Sequence, residues 1–458
     1  MSVKFQYCKI IKYLVTAVCT EPLHIGSAMG DKEEVLVHPV DNVPFIQAAS
    51  IAGAFREYYK SVYKEEKTDY LFGSRNLKED DNASEYGSKV KFGDGTFQKG
   101  EVKLELRPRI KIDPVSGSSG VSQMKGTKEI SGQKFNMEYI GAGAKFSFPV
   151  YLYDGECQKE LEEIFGAIQN QNIMFGGQKS NGCGYIRIEK LQCKMFDLTK
   201  ETDRKLWAME EELQEKDYED KTSLLKASDF SRNAYEITIE GETEGELLVK
   251  SIAVAGHGAD APDSMNIQNA KMDYIVPGSS FKGAVRNQME KIASYLHKEE
   301  IIENTFGKNG ERNKAGKIGN IGFFDTVIGD RKTNDLADIS HRVHIDKFTG
   351  GVIYGSLFSQ KNVSGKVKFK VVIKDTNEPD RSCGVLLMAL RDLAVGAMSV
   401  GSGYNIGKGI IDVDKITVYS PKDKDTAVLN FKAEDSKAKI QDTSGIIEKC
   451  IHSVKGEE

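Results

Sequence analysis

The chain has 458 residues, with 63 Lys and Arg against 68 Asp and Glu, a net charge of −5, 39% hydrophobic and 29% charged residues. At about 150 residues per domain, that length asks for two or three domains, and the composition excludes a mainly disordered chain. The slight acidity excludes polyanion binding driven by net charge alone, so any nucleic-acid site must be a local basic groove.

The first element is a strand over 5–18, rich in β-branched and aromatic residues. Lys9 and Lys12 interrupt its apolar stretch, so it does not read as a secretory signal, and no apolar run reaches membrane-spanning length. A loop then leads to Ser50-x-x-Gly53-Ala54-x-Arg56, where Ile51, Ala54, Phe55, Tyr58, Tyr59 and Val62 take helical spacing and Ser50 stands where an N-cap belongs. Leu161, Ile164, Phe165 and Ile168 mark a second amphipathic helix. A Gly-rich loop follows, Gly176 to Gly184 with Lys179 inside it, and then a strand beginning Tyr185-Ile-Arg-Ile.

Residues 196–234, charged and without Gly or Pro, read as an exposed helical connector. Beyond it the same order returns. A strand covers 234–239 and 247–254. Ser280-x-x-Gly283-Ala284-x-Arg286 opens a helix carried by Phe281, Val285, Met289 and Ile292. Leu386, Ala389, Leu390 and Leu393 form another, followed by the Gly401–Gly409 loop with Lys408 and by the strand Ile410-Ile-Asp-Val. The two Ser-x-x-Gly-Ala-x-Arg segments are offset by 230, Leu71-Phe-Gly73 and Thr305-Phe-Gly307 by 234, Ile112-Asp113 and Ile345-Asp346 by 233, and the Gly-rich loops by 225. Four collinear matches indicate two copies of one domain, 1–195 and 235–420. The order strand, helix, strands, helix, strand predicts a ferredoxin-like α/β sandwich in each. The stretch 421–458 reads as a charged C-terminal tail with a short apolar patch at 444–451.

The seven cysteines are scattered, never in Cys-x-x-Cys spacing, as expected of free thiols in a reducing cytoplasm. The histidines His24, His38, His257, His341 and His344 have no metal-ligand spacing. There is also no phosphate-loop nucleotide motif and no Gly-x-Ser-x-Gly. A helix start preceded by Ser and followed by Gly offers N–H groups and a positive dipole end to a phosphate. The plain alternative is that Ser50 and Ser280 only cap their helices and that Gly53 and Gly283 only let those helices pack closely. Likewise the Gly-rich loops either nest a phosphate or simply turn the chain.

Pro277-Gly-Ser-Ser-Phe-Lys282-Gly-Ala-Val-Arg286, His344-Ile-Asp346-Lys347-Phe-Thr349-Gly350 and the C-terminal Gly-rich loop together resemble the RAMP superfamily of CRISPR systems, and within it the backbone subunits of type III (Csm/Cmr-like) effector complexes. The first copy is looser: Gln47-Ala48-Ala49 replaces Pro-Gly-Ser, and Asp113-Pro-Val-Ser-Gly117 replaces the Asp-Lys-x-Thr-Gly segment, while Leu23-His24-Ile25-Gly26 is retained. Two copies in one chain resemble a fused pair, as in subtype III-D-like effectors.

The resemblance implies an α+β fold of two tandem ferredoxin-like, RRM-like RAMP domains. Thumb-like hairpin insertions would follow Asp113 and Asp346, an apolar wedge that splays one nucleotide out of a guide–target duplex. It implies guide RNA (crRNA) and target RNA as ligands, other effector subunits of the same superfamily and a large signature subunit as partners, and no membrane. Implied RNA contacts are His24, Ser50, Gly53, Arg56, Arg109, Lys111, Lys179, Ser279, Ser280, Lys282, Arg286, Arg342, Lys347 and Lys408. Target cleavage would use the RNA's own 2′-hydroxyl, helped by an Asp in the loop before the Ser-x-x-Gly helix. The candidates are Asp31, Asp263 and Asp260, with Asp31 and Asp263 also holding a divalent metal, Mg²⁺ by its oxygen chemistry. A guide-holding scaffold that does not cut, a stand-alone endoribonuclease for the guide precursor and a module that binds no nucleic acid are the rival readings.

Overall fold

In the strand Lys145–Leu152, Phe146, Phe148, Val150 and Leu152 are buried while Lys145 is exposed, the period-two pattern of a sheet covered on one face. The computed structural model describes residues 7–26, 34–73, 87–110, 112, 134–153, 155–209, 213–226, 233–251, 262–308, 316–329, 339–432 and 438–455. Asp31, Lys111, Asp113, His257 and Asp260 lie outside the described residues.

The chain divides into two compact units. The first comprises Met1–Leu104, Tyr139–Lys179 and Cys183–Arg232; the second comprises Glu105–Glu138, Ser180–Gly182 and Asn233–Glu458. Two short segments of the first repeat therefore belong to the second unit, where contiguous copies were expected.

In the first unit the sheet runs Phe45–Ile46, Gly95–Phe97, Lys145–Leu152, Lys9–Cys19, Ile186–Asp197, Glu219–Asp220, all antiparallel. In the second it runs Ile321–Phe323, Lys366–Lys374, Ala234–Glu244, Ile410–Ser420, Asp425–Asn430, Lys439–Gln441, again antiparallel. In both, the first long strand lies between the two long strands that follow it in the chain: Lys9–Cys19 between Lys145–Leu152 and Ile186–Asp197, and Ala234–Glu244 between Lys366–Lys374 and Ile410–Ser420. Both central pairings slip by one residue at one place, between Thr16 and Ala17 and between Glu240 and Gly241. The bulged residues opposite are Glu189 and Asp414, so the repeat extends to a β-bulge that local periodicity did not reveal.

Four helices fall where hydrophobic spacing put them, α1 (Ala48–Val62), α3 (Gln158–Gln169), α5 (Gly278–Tyr295) and α7 (Pro379–Ala394); beside them stand α2 (Glu65–Phe72), α4 (Glu201–Ala208), α6 (Glu300–Phe306) and α8 (Ile446–Lys455). Phe55 of α1 meets Phe165 of α3 and Phe148 of the sheet, with ring centroids 5.9 and 6.4 Å apart. In the second unit Phe281 of α5 stacks on Phe369 at 4.2 Å. These fully buried rings anchor one core per unit.

Two expectations change. The connector is not simply an exposed helix: Trp207 of α4 packs edge-on against Phe196, Glu219–Asp220 joins the first sheet, and Leu225 is buried. The charged tail is folded. Its two strands extend the second sheet, and α8 buries Ile446, Cys450 and Val454 against the second core. Gly384 of α7 permits that approach, because a Cβ there would meet the Cys450 carbonyl oxygen at 2.2 Å. No helix among the described residues is long and apolar enough to cross a membrane.

Candidate nucleic-acid interface

Ser50 and Ser280 are not the caps. The N-cap positions are Gln47 and Pro277, both extended, and each Ser is the third residue of its helix. The first-turn N–H groups are met from elsewhere: Ala48 N donates to Asp94 Oδ1 (2.7 Å) and Gly278 N to Asp325 Oδ1 (2.8 Å). A carboxylate thus already occupies the positive end of each helix. Self-comparison carried past the motif would have found these two, since Phe92-Gly-Asp94 and Phe323-Phe-Asp325 are 231 apart.

The glycines inside the two motifs do not serve packing. Among the described residues, no atom outside the helix's own backbone and chain neighbours lies within 4 Å of a Cβ built at Gly53 or Gly283, and both glycines are exposed. Each costs its helix roughly 0.5–1 kcal/mol relative to Ala. In both copies at the same position, the helix leaves bare backbone open to the outside.

The Gly-rich loops have a conformational reason for their outer glycines. Gly184 and Gly409 have φ of +90° and +77°, and a Cβ on either would lie 2.1 Å from the carbonyl oxygen of Phe175 or Val400. Their N–H groups point inward: Gly177 donates to His24 O, Gly184 to Pro22 O, Ser402 to Leu248 O and Gly409 to Glu246 O. These loops are therefore fastened to the segment just after each unit's first strand. His24 is buried at that junction, its ring 5.6 Å from Tyr139.

The expected cations fall into two groups. Those held internally include Lys408, 3% exposed, whose Nζ reaches Glu246 Oε2 (2.8 Å), Asn362 Oδ1 (2.6 Å) and Gln360 Oε1 (3.2 Å). Its ammonium is a buried structural tie, not a surface contact. Arg56 pairs with Asp69 (2.6 Å) and donates to the Phe72 and Gly73 carbonyls, which close α2. Lys179 pairs with Glu57 (2.9 Å).

Three others gather in the second unit. Lys282 donates to Ser180 Oγ at 2.7 Å, and burial together with the positive charges of Arg286 and Arg109 lowers its pKa to about 8. Arg286 is exposed, pairs with Glu290 (2.7 Å) and lies 5.3 Å from the centre of the Phe306 ring. Ser279 and Ser280 occupy the first turn of the same helix. Arg342 and Lys347 lie on and just beyond the strand Ile339–Ile345.

Burial and neighbouring positive charge both favour the neutral form of Lys282, and a bound anion would oppose that. Binding a phosphate there restores the Lys282 proton, so affinity is expected to fall by up to about tenfold per pH unit above about 8. Lys282→Arg, which keeps its charge, should flatten the profile, as RNA titrations between pH 7 and 9.5 would show. For the fold alone the sign reverses. Between about 8 and the ordinary value of 10.5 the unfolded chain holds a proton that the folded one has shed, so stability rises with pH there.

The hairpin Ile339–Ile345 and Val352–Lys361 stands where the second thumb-like insertion was expected. Val343, Ile345, Phe348, Tyr354, Leu357 and Phe358 are exposed on it, Phe348 at 97% and Tyr354 at 103%. Asp346 closes its turn by accepting from the N–H groups of Phe348 and Thr349. At its root lies Asp263. Oδ2 of Asp263 accepts from Ser359 N (2.7 Å) and Ser359 Oγ (3.0 Å), and the Asp263 N–H donates to the same Oγ (2.9 Å). These Ser359 bonds, with a further pull from His341, hold the exposed Asp263 carboxyl below its ordinary pKa, so it stays ionised through neutral pH.

No group of three or more His, Cys, Asp or Glu among the described residues is placed to hold a metal. At the hairpin root Asp263 offers an ionised oxygen donor. That fits Mg²⁺, which takes one or two carboxylates and completes its shell with water and substrate phosphates.

The profile of the RAMP superfamily matches residues 16–187 and 254–412. No curated protein matches the chain. Among solved structures, one chain of a cryo-EM structure of the type III-B Cmr-beta bound to cognate target RNA is 16% identical with a TM-score of 0.31. The alignment covers 40% of this chain and 61% of that one.

Proposed function

The chain belongs to the RAMP superfamily, and from that premise we propose that it is a fused, two-copy backbone subunit of a type III CRISPR ribonucleoprotein that holds guide RNA and cuts complementary target RNA. The antiparallel sheets, with the first long strand between the two long strands that follow it in the chain, support reading each copy as ferredoxin-like. The exposed apolar hairpin at 339–361 supports reading it as the thumb that parts two bases. Its partners would be guide RNA, target RNA, further subunits of the superfamily and a large signature subunit.

The observation that carries the RNA reading is the pair of unpacked glycines, Gly53 and Gly283, at equivalent positions of two helices. In the second unit Lys282, Arg286 and Arg109 supply the positive charge beside that bare backbone. In the first, Arg56 and Lys179 are already paired. Arg286 of the second copy is likewise paired, with Glu290. Contacts of this kind grip phosphate and shape and leave base choice to guide pairing.

In cleavage the 2′-oxygen of the splayed nucleotide attacks the adjacent phosphorus and the bond to the 5′-oxygen breaks; the departing 5′-oxygen takes a proton from solvent water, leaving a 2′,3′-cyclic phosphate and a 5′-hydroxyl. Asp263 is the described carboxylate that would accept the 2′ proton. It would also be the residue to hold a Mg²⁺, whose contribution when bound is to neutralise charge on the phosphate.

The test is the pair Gly53→Ala and Gly283→Ala. Both positions are helical and unobstructed, so the double variant should melt at a higher temperature, by about 1–2 kcal/mol in total. It should nevertheless bind RNA more weakly, because each new methyl group blocks the backbone. A double variant that gains stability and retains full RNA affinity rejects these helices as the RNA face.

A further inference from the structure

We infer that Ser359 is a positioning residue for Asp263, so that the hairpin, and not the loop that carries it, sets the placement of this carboxylate. The inference rests on the cleavage reading above.

An exposed Asp in a loop ordinarily samples several rotamers. Here the same serine binds it three times: Ser359 N and Oγ donate to Oδ2, and Oγ accepts from the Asp263 N–H. With Oδ2 and the main chain held, both side-chain torsions are fixed. Oδ1 is left without a hydrogen-bond partner among the described residues.

The neighbouring residues extend the fastening. Ser264 and Met265 pair in parallel with Gln360 and Lys361. Gln360 and Asn362 are gripped by the buried Lys408, which also holds Glu246. His341 stands directly across the ladder from Ser359, bringing a second polar group to the same edge of the carboxylate. Loop, hairpin root and Gly-rich loop thus form one hydrogen-bonded block, and displacement of the hairpin by an intercalated duplex would carry Asp263 with it. A misplacement of about 1 Å is enough to cost about a hundredfold in rate.

The experiment uses the complete assembled ribonucleoprotein with guide and end-labelled target, comparing Ser359→Ala, Ser359→Thr and Asp263→Ala. Ser359→Ala should slow single-turnover cleavage by about 10- to 100-fold with target affinity unchanged. Ser359→Thr keeps the hydroxyl and should cut at near the parental rate. Hydrogen exchange supplies a readout apart from activity: in Ser359→Ala the amides of 262–265 should exchange faster, while the ladder of the hairpin keeps its protection.

Should Ser359→Ala cut normally while Asp263→Ala is inactive, the inference falls and the cleavage reading stands. Should Asp263→Ala cut normally, the cleavage reading itself falls and takes the inference with it. Loss of hairpin protection or of target binding in Ser359→Ala, or a Thr variant as slow as the Ala one, would make Ser359 merely structural and overturn the inference.

Discussion

Replacing Asp263 by Ala should reduce target cleavage at the second copy by about a hundredfold or more, the usual contribution of a positioned proton acceptor. The carboxylate is exposed, ionised and fixed by Ser359 at the root of a hairpin with an apolar tip. Because its pKa is lowered, its share of the rate should persist at neutral pH and fade only once acidity passes below the ordinary carboxylate range. Asp263→Asn keeps the hydrogen-bond acceptor to Ser359 and removes the charge, so it should be as defective as Ala. The measurement is single-turnover cleavage in the reconstituted complex, with chemical identification of the 2′,3′-cyclic and 5′-hydroxyl ends. Full activity in both variants would leave the chain a scaffold that holds the guide.

Arg107→Ala should be the most destabilising single change outside the apolar cores, by about 3–5 kcal/mol. Arg107 and Glu105 are 5% and 6% exposed. The guanidinium binds Glu105 Oε2 through Nε (2.8 Å) and through Nη2, and Asp325 Oδ2 through Nη1 (2.7 Å). Each carboxylate has a second duty: Glu105 Oε1 accepts from Ala270 N and Asp325 Oδ1 from Gly278 N, both at 2.8 Å. Removing the cation leaves one buried and one half-buried negative charge that cannot turn away without abandoning those N–H groups. In the triple variant Arg107→Met, Glu105→Gln and Asp325→Asn, the amide oxygens still accept while the uncompensated charge disappears, so most of the loss should be recovered. Thermal unfolding of the purified chain checks both; a single variant that melts as the parent would show that the triad carries no stability.

How much of this was legible in the residues depended on the range of the interaction. Hydrophobic spacing located α1, α3, α5 and α7 because each buries a continuous stripe, such as Phe281, Val285, Met289 and Ala293 on α5. The repeat was readable from short motifs at a near-constant offset. What stayed hidden were partnerships between distant segments. Lys408 looked like a loop cation, and only the fold brings Glu246, Gln360 and Asn362 around it. Ser50 and Ser280 looked like caps, yet Asp94 and Asp325 fill that role from other segments. In 421–458 the apolar patch at 444–451 marks where α8 forms, while its docking through three residues that recur every fourth position depends on the second core. Of the candidate site, Lys282, Arg286 and Arg109 were named from sequence and are found together, whereas Ser359 carries no local signature at all.

The placement of Glu105–Glu138 in the second unit bears on how the polypeptide is made. Glu105 leaves the ribosome 165 positions before Ala270, whose N–H it caps, and Asp325 emerges later still. Until Ala270 and Asp325 emerge, Glu105 and Arg107 have each other but not their remaining partners. Partners this distant in sequence raise contact order, which slows folding.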